Sequence, residues 1–227
     1  MLKALLNLVF PKTCSGCRNN LLESEHLVCT YCRHDMPFTQ HHLDDNNETL
    51  KKFKGRLPVE HASSIVYFHK EGIVQELIHN LKYRGKEEIG SLMGQWYVHD
   101  LKNIETLKTV TDVVPVPLHT KKLRERGYNQ VEGFGKALAN GLGKKYSDDV
   151  LVRTQYSKTQ TKKNLAARAE IISEAFDVAS TDAGTEKHFL LVDDVITTGA
   201  TLEACGKALL KIPGAKVSVI TIAYAHT

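Results

Sequence analysis

The sequence has no apolar run that approaches the ~18 residues needed to cross a bilayer, so no helical membrane span is expected. Its first residues, MLKALLNLVFPKTC, carry a short apolar patch with no small-residue cleavage site behind it. They are expected to form a short amphipathic helix stopped by Pro11, not a signal peptide. A strong charge of either sign is also missing. The formal balance of +4 permits nucleic-acid or polyphosphate partners and demands neither. Nothing places the chain in an oxidising compartment, and the expected location is cytoplasmic. What remains is ordinary for a globular protein: 227 residues, 42% hydrophobic and 25% charged, enough for one domain or a domain with a small module.

The most informative stretch is FLLVDDVITTGATLEAC, residues 189–205. An apolar run of buried-strand length leads directly into Asp193 and Asp194. After two small apolar residues comes Thr197-Thr198-Gly199-Ala200-Thr201, followed by a helical spacing of Leu202, Cys205 and Leu209. A strand that turns through such a loop into a helix offers backbone N–H groups and a positive dipole end to an anion. Gly199 allows the turn and a close approach, and the threonines add donors. The acids would repel that same anion and need hydroxyl donors or a cation. A sugar phosphate meets both needs. The plainer alternative is a strand with a polar end and a capping threonine. Cys205, at an apolar helical position, is expected to be a buried thiol.

Cysteine is sparse, but four of the five fall into two pairs, Cys14/Cys17 and Cys29/Cys32. Each pair can place two thiolates on one side of a turn, and eleven intervening residues allow a hairpin that gathers all four. Such a set suits structural Zn²⁺, with a pair of disulfides as the alternative. His26 and His34 are not needed as ligands and are expected at the surface. A module this small would draw much of its folding free energy from the metal. The polar run that follows is expected to be a linker, residues 41–56.

From residue 57 onward the pattern is α/β. Strands are expected at 62–68, 110–116, near 150–152, at 189–192 and at 216–224, with helices at 73–83, 87–101 and 131–142. Residues 119–130, HTKKLRERGYNQ, set Lys121, Lys122, Arg124 and Arg126 against Glu125 in what reads as a basic loop at the carboxyl edge of the sheet. Residues 153–168 are cationic and contain no acid, the composition of a flap over a polyphosphate. Lys82-Tyr83-Arg84-Gly85 either contacts ligand or merely ends a helix.

The Cys₄ pairs, LKYRGK, VPVPLHTKKLRERGYNQ, RTQYSKTQTKKNLAARAE and LLVDDVITTGAT occur in that order. Together they resemble the competence-associated ComF-type family of phosphoribosyltransferase-like proteins. The resemblance implies a type I phosphoribosyltransferase-like parallel sheet flanked by helices over 57–227, with a zinc-binding Cys₄ module at 1–40. It implies that Thr197, Thr198, Gly199, Ala200 and Thr201 hold the 5′-phosphate of phosphoribosyl pyrophosphate (PRPP), while Asp193 and Asp194 hold its ribose hydroxyls. Arg126, Gly127, Asn129 and Gln130 would face the pyrophosphate. Arg153, Lys158 and Arg168 would shield that leaving group during transfer to an unknown acceptor. Mg²⁺ would enter with PRPP. The resemblance further implies a role in DNA uptake beside a competence helicase. Basic loops and aromatics such as Tyr31 and Phe38 fit single-stranded DNA, and a non-catalytic DNA-binding accessory role is the alternative to transfer.

Overall fold

A computed structural model describes residues 11–153, 175–179 and 186–226. The expected helix over the first ten residues, and Lys158 and Arg168 with most of the expected flap, lie outside the described residues.

Five strands form one parallel sheet: β1 (Ala62–Phe68), β2 (Asp112–Pro115), β3 (Lys145–Tyr146), β6 (His188–Ile196) and β7 (Lys216–Ala225), in the order β1-β7-β6-β2-β3. A separate antiparallel ribbon pairs β4 (Leu151–Arg153) with β5 (Phe176–Val178), so the strand expected near 150–152 stands outside the main sheet. The helices are α1 (Thr30–His34), α2 (Glu48–Lys51), α3 (Ile73–Tyr83), α4 (Glu88–Leu101), α5 (Glu105–Lys108), α6 (Thr120–Arg126), α7 (Glu132–Leu142) and α8 (Ala200–Leu209).

The central strands are apolar on both faces because both faces are covered. Leu190 and Val192 of β6, with Ile220 and Ile222 of β7, pack with Leu77, Met93 and Leu138 from α3, α4 and α7. Phe189 and Leu191, with Val217 and Val219, pack with Leu202, Cys205 and Leu209 of α8. Cys205 is thus the buried core thiol its spacing suggests. On the first face α4 and α7 approach so closely that a Cβ on Gly94 would stand 2.7 Å from that of Ala137.

The order of the strands locates a crevice. From β2 the chain moves outward to β3, while from β6 it moves the other way to β7. The reversal falls between β2 and β6, and ligands in open α/β sheets bind beyond the carboxyl ends of the strands at such a switch point. The last β2–β6 pairs are Pro115↔Val192 and the Val116 N–H to Val192 O bond at 2.9 Å. The residues immediately beyond on β6 are Asp193 and Asp194.

Two segments differ from their sequence expectation. Residues 41–56 do not behave as a linker. The Asn47 amide donates to the carbonyl oxygens of Ala62 (2.8 Å), Asp44 (2.9 Å) and His41 (3.1 Å), and Phe53 is buried in the core. Hydroxyl contacts join Thr49 to Ser64 and Ser64 to Thr221, each at 2.7 Å. Asn47 and Thr49, two of the polar residues that suggested a linker, are internally satisfied, which is what allows their burial. Residues 119–130 are likewise not simply a loop. His119 Nδ1 accepts from the Lys121 N–H at 3.1 Å and Gly127 closes α6 at φ +81°, so the cations lie on a short capped helix.

The amino-terminal segment packs on this body. The Asn80 amide donates to Ser15 O at 2.8 Å, Arg18 pairs with Glu76 at 2.6 Å, and Cys14, Cys29 and Cys32 belong to the same core as α3 and α4. Residues 36–39 lie along the free side of β1, with the Thr39 N–H donating to Ile65 O (2.9 Å) and the Tyr67 N–H to Pro37 O (2.8 Å). They cover an edge that would otherwise be open to pairing.

Candidate functional site

Side chains alternate along β6, so neighbouring acids leave on opposite faces. Asp194 points toward α3, where Lys82 Nζ lies 3.0 Å from Oδ1, and the Gln130 amide donates to Oδ2 at 2.7 Å. The Arg126 guanidinium in turn donates to Gln130 Oε1 at 2.6 Å and stacks over the Tyr83 ring at 5.1 Å. Asp193 accepts the Asp194 N–H at 2.8 Å. Burial, and then the neighbouring charge of Asp194, push its carboxyl up to about 7, while that N–H and the cations of Lys82 and Lys122 pull the other way. Asp193 takes only that backbone N–H as a hydrogen-bond donor among the described residues, so its carboxyl keeps acceptor capacity for a cation or for hydroxyl donors.

Three residues on, the chain makes the anticipated turn. Thr197 and Thr198 are exposed, Gly199 adopts φ +77°, and α8 begins at Ala200. Positive φ there is the reason for glycine. A Cβ would meet only ordinary contacts, the nearest Lys52 Cβ at 3.5 Å, so conformation rather than space imposes the choice. The Thr198 hydroxyl accepts from the Ala200 N–H at 3.4 Å. Arg56 braces the loop from behind. Its guanidinium donates to Thr198 O at 2.8 Å and pairs with Glu203 in the first turn of α8. Arg56 carries no signal in the sequence, because its partners lie far along the chain.

The remaining anticipated residues are distributed as follows. Gly127 caps α6, and the Asn129 amide donates to Val116 O at 3.1 Å, tying the segment after α6 to the end of β2. Gln130 is buried with its amide on Asp194. Arg153, on β4, holds its guanidinium over Phe176 at 5.0 Å. Lys82, left open between ligand contact and helix end, reaches the acid pair. A cavity of about 240 Å³ beside it is lined by Lys82, Tyr83, Gly85, Lys122, Glu125, Arg126 and Tyr128, its cations outnumbering the single acid. An acid pair, an exposed turn at a helix amino terminus and a cationic cavity therefore meet around the switch point. Sugar hydroxyls, a phosphate and a second polyanionic group are the chemistry such a set can bind.

The four paired cysteines form a second centre. Their sulfurs all lie within 4.8 Å of one another, with Cys17 and Cys29 at 3.7 Å. Zn–S bonds of ~2.3 Å in a tetrahedron would set sulfurs ~3.8 Å apart. N–H groups of Gly16 (3.3 Å) and Cys29 (3.2 Å) donate to Cys14 Sγ, and the Cys32 N–H donates to Cys29 Sγ (3.4 Å), as expected around metal-bound thiolates. Burial raises the Cys14 thiol, but backbone donors outweigh it and set it at about 7. Burial and three thiol neighbours push Cys32 up. Four sulfurs this close can act together as thiolate ligands once a cation offsets their charge, and the donor set fits a soft divalent metal. His26 and His34 are exposed, as expected.

Residues 132–227 match the model of the phosphoribosyl transferase domain. The chain is 26% identical over 225 residues to Competence protein F of Haemophilus influenzae, covering 95% of this chain and 98% of that protein. It is 26% identical over 213 residues to Competence protein ComFC of Bacillus subtilis, covering 93% and 83%. DNA utilization protein YhgH of Escherichia coli matches at 28% over 146 residues, 63% of each chain. The chain is thus similar along most of its length to competence proteins, and its residues 132–227, which include the acid pair and the turn, match the phosphoribosyl transferase domain.

Proposed function

We propose that this protein binds PRPP at the β2–β6 switch point and acts in the handling of incoming DNA. The observation that carries the reading is the succession at the end of β6: Asp193 and Asp194, then a positive-φ Gly199 turning directly into α8. The 5′-phosphate rests on the turn from Thr197 to Thr201, where the first N–H groups of α8 lack intrahelical partners. The ribose 2′- and 3′-hydroxyls donate to Asp193 and Asp194. The pyrophosphate lies toward Lys82, Lys122 and Arg126, whose charges neutralise it as a leaving group. Mg²⁺ carried by PRPP would supply further neutralisation, held on the protein side by the Asp193 and Asp194 oxygens. Transfer to an acceptor would then rest on positioning, without a protein nucleophile. Zn²⁺ in the cysteine cluster has a structural role, all four positions being taken by protein.

The names of the relatives in Haemophilus, Bacillus and Escherichia support the DNA-handling part of the proposal. A second reading, an accessory factor that binds single strands and keeps PRPP as a regulator, is favoured by exposed Tyr31 and Phe38 beside the cysteine cluster. Calorimetry with PRPP and Mg²⁺ tests the main reading. Wild type is expected to bind, and the Asp193→Asn/Asp194→Asn double variant to lose binding. Equal binding by both, or by neither, would sink it.

A further inference from the structure

A larger cavity, about 690 Å³, opens away from the acid pair, between the cysteine module and the last turns of α4. The size suits a nucleoside-sized ligand. One wall is the Arg33 guanidinium stacked over the indole of Trp96 at 5.1 Å, with Phe38 beside it. Gln40 and Gln95 bring amides, each a donor and an acceptor. Gln40 holds φ +55°, a conformation that L-residues other than Asn and Asp seldom adopt and that recurs at ligand sites.

Two further lining residues carry buried polar atoms without a hydrogen bond among the described residues, His42 at Nδ1 and Tyr97 at its hydroxyl. Ser63, whose hydroxyl contacts His61 at 2.9 Å, also lies near enough to interact with the Tyr97 hydroxyl, which leaves His42 Nδ1 as the stronger of the two observations. Asp100 stands 4.0 Å from His42 Nε2.

The lining selects among ligands. A phosphate or carboxylate would face Asp100. A purely apolar occupant would cover two amides and a carboxylate without pairing them, which is costly. A nucleobase fits both features. Its faces stack on guanidinium and aromatic planes, and its edge presents donors and acceptors together. We infer that the cavity bounded by Arg33, Trp96, Gln40 and Gln95 is a second binding site, for a nucleobase, supplied either as a free nucleoside or as a base of single-stranded DNA.

Trp96 is the single tryptophan of the sequence, so its emission reports this cavity alone. The full-length, metal-loaded protein is titrated with adenosine and, separately, with a short oligodeoxyadenylate. Saturable quenching is expected, weakened about tenfold by Arg33→Ala and by Gln95→Ala. Both positions are exposed, so both variants should fold. Quenching by both probes means a site open to either source. Quenching by the oligonucleotide alone, with the same loss in the two variants, assigns the base to a strand. No quenching by either probe, or quenching that both substitutions leave intact, overturns the inference. The Asp193→Asn/Asp194→Asn variant should quench like wild type, so a failure at the PRPP site and a failure here are read separately.

Discussion

Replacing Lys82 by methionine keeps the length of the side chain and removes the charge that meets Asp194. At 3.0 Å and an effective dielectric of ~20 the attraction is about 5 kcal/mol, partly offset by desolvation of both groups. Gln130 still donates to Asp194 in the variant, which limits the cost to about 2–4 kcal/mol. The cost should also depend on pH. Asp193 titrates at about 7 in the folded chain against about 4 when unfolded, so the native state holds the extra proton between those values. Stability from this group therefore falls as pH rises through that window. Lys82 is one of the cations that lower Asp193, so its loss moves the folded value higher still and carries the decline further up the pH scale. Urea unfolding at pH 8 and at pH 5.5 reads both effects, with the larger gap between variant and wild type at pH 8. A gap under about 0.5 kcal/mol at pH 8, or equal gaps at the two pH values, would refute the electrostatic account of the pair.

Gly199→Ala forces an L-residue to φ +77° with no steric clash to relieve, so about 1–2 kcal/mol of stability should go. PRPP affinity measured by calorimetry should fall at least tenfold, and unchanged affinity would detach the turn from phosphate binding. Elemental analysis should find one equivalent of metal per chain, and chelation should lower stability by about 4 kcal/mol or more, the linkage expected when free metal exceeds Kd a thousandfold. Loss of metal with an unmoved thermal transition would show that the cysteines hold their places without it.

Local chemistry was readable in advance and long-range pairing was not. The acid pair, the Thr-Gly turn, the paired cysteines and the helical spacing of Cys205 each lie within a short window, where periodicity and turn preference act directly. The brace from Arg56 to Thr198 and the reach of Lys82 to Asp194 join residues more than a hundred positions apart, and composition is blind to such contacts. Polar content misled at 41–56, because Asn47 and Thr49 turn their hydrogen bonds inward onto β1. At 120–126 the density of charge suggested a loop, although Lys, Leu, Arg and Glu are good helix formers and Lys121 and Glu125 face each other at 3.8 Å.

The position of β7 has a consequence for how the chain is made. β1 emerges early in synthesis, yet among the described residues its partner in the sheet is β7, which follows every other strand in sequence, and β7 also flanks β6. Until residues 216–225 leave the ribosome, β1 and β6 cannot be joined, and the acids of β6 stand at the rim of an incomplete sheet. A nascent chain stalled before that point should be sensitive to protease and prone to self-association. Phosphate-ligand binding should then appear in one late step, on release of the final strand.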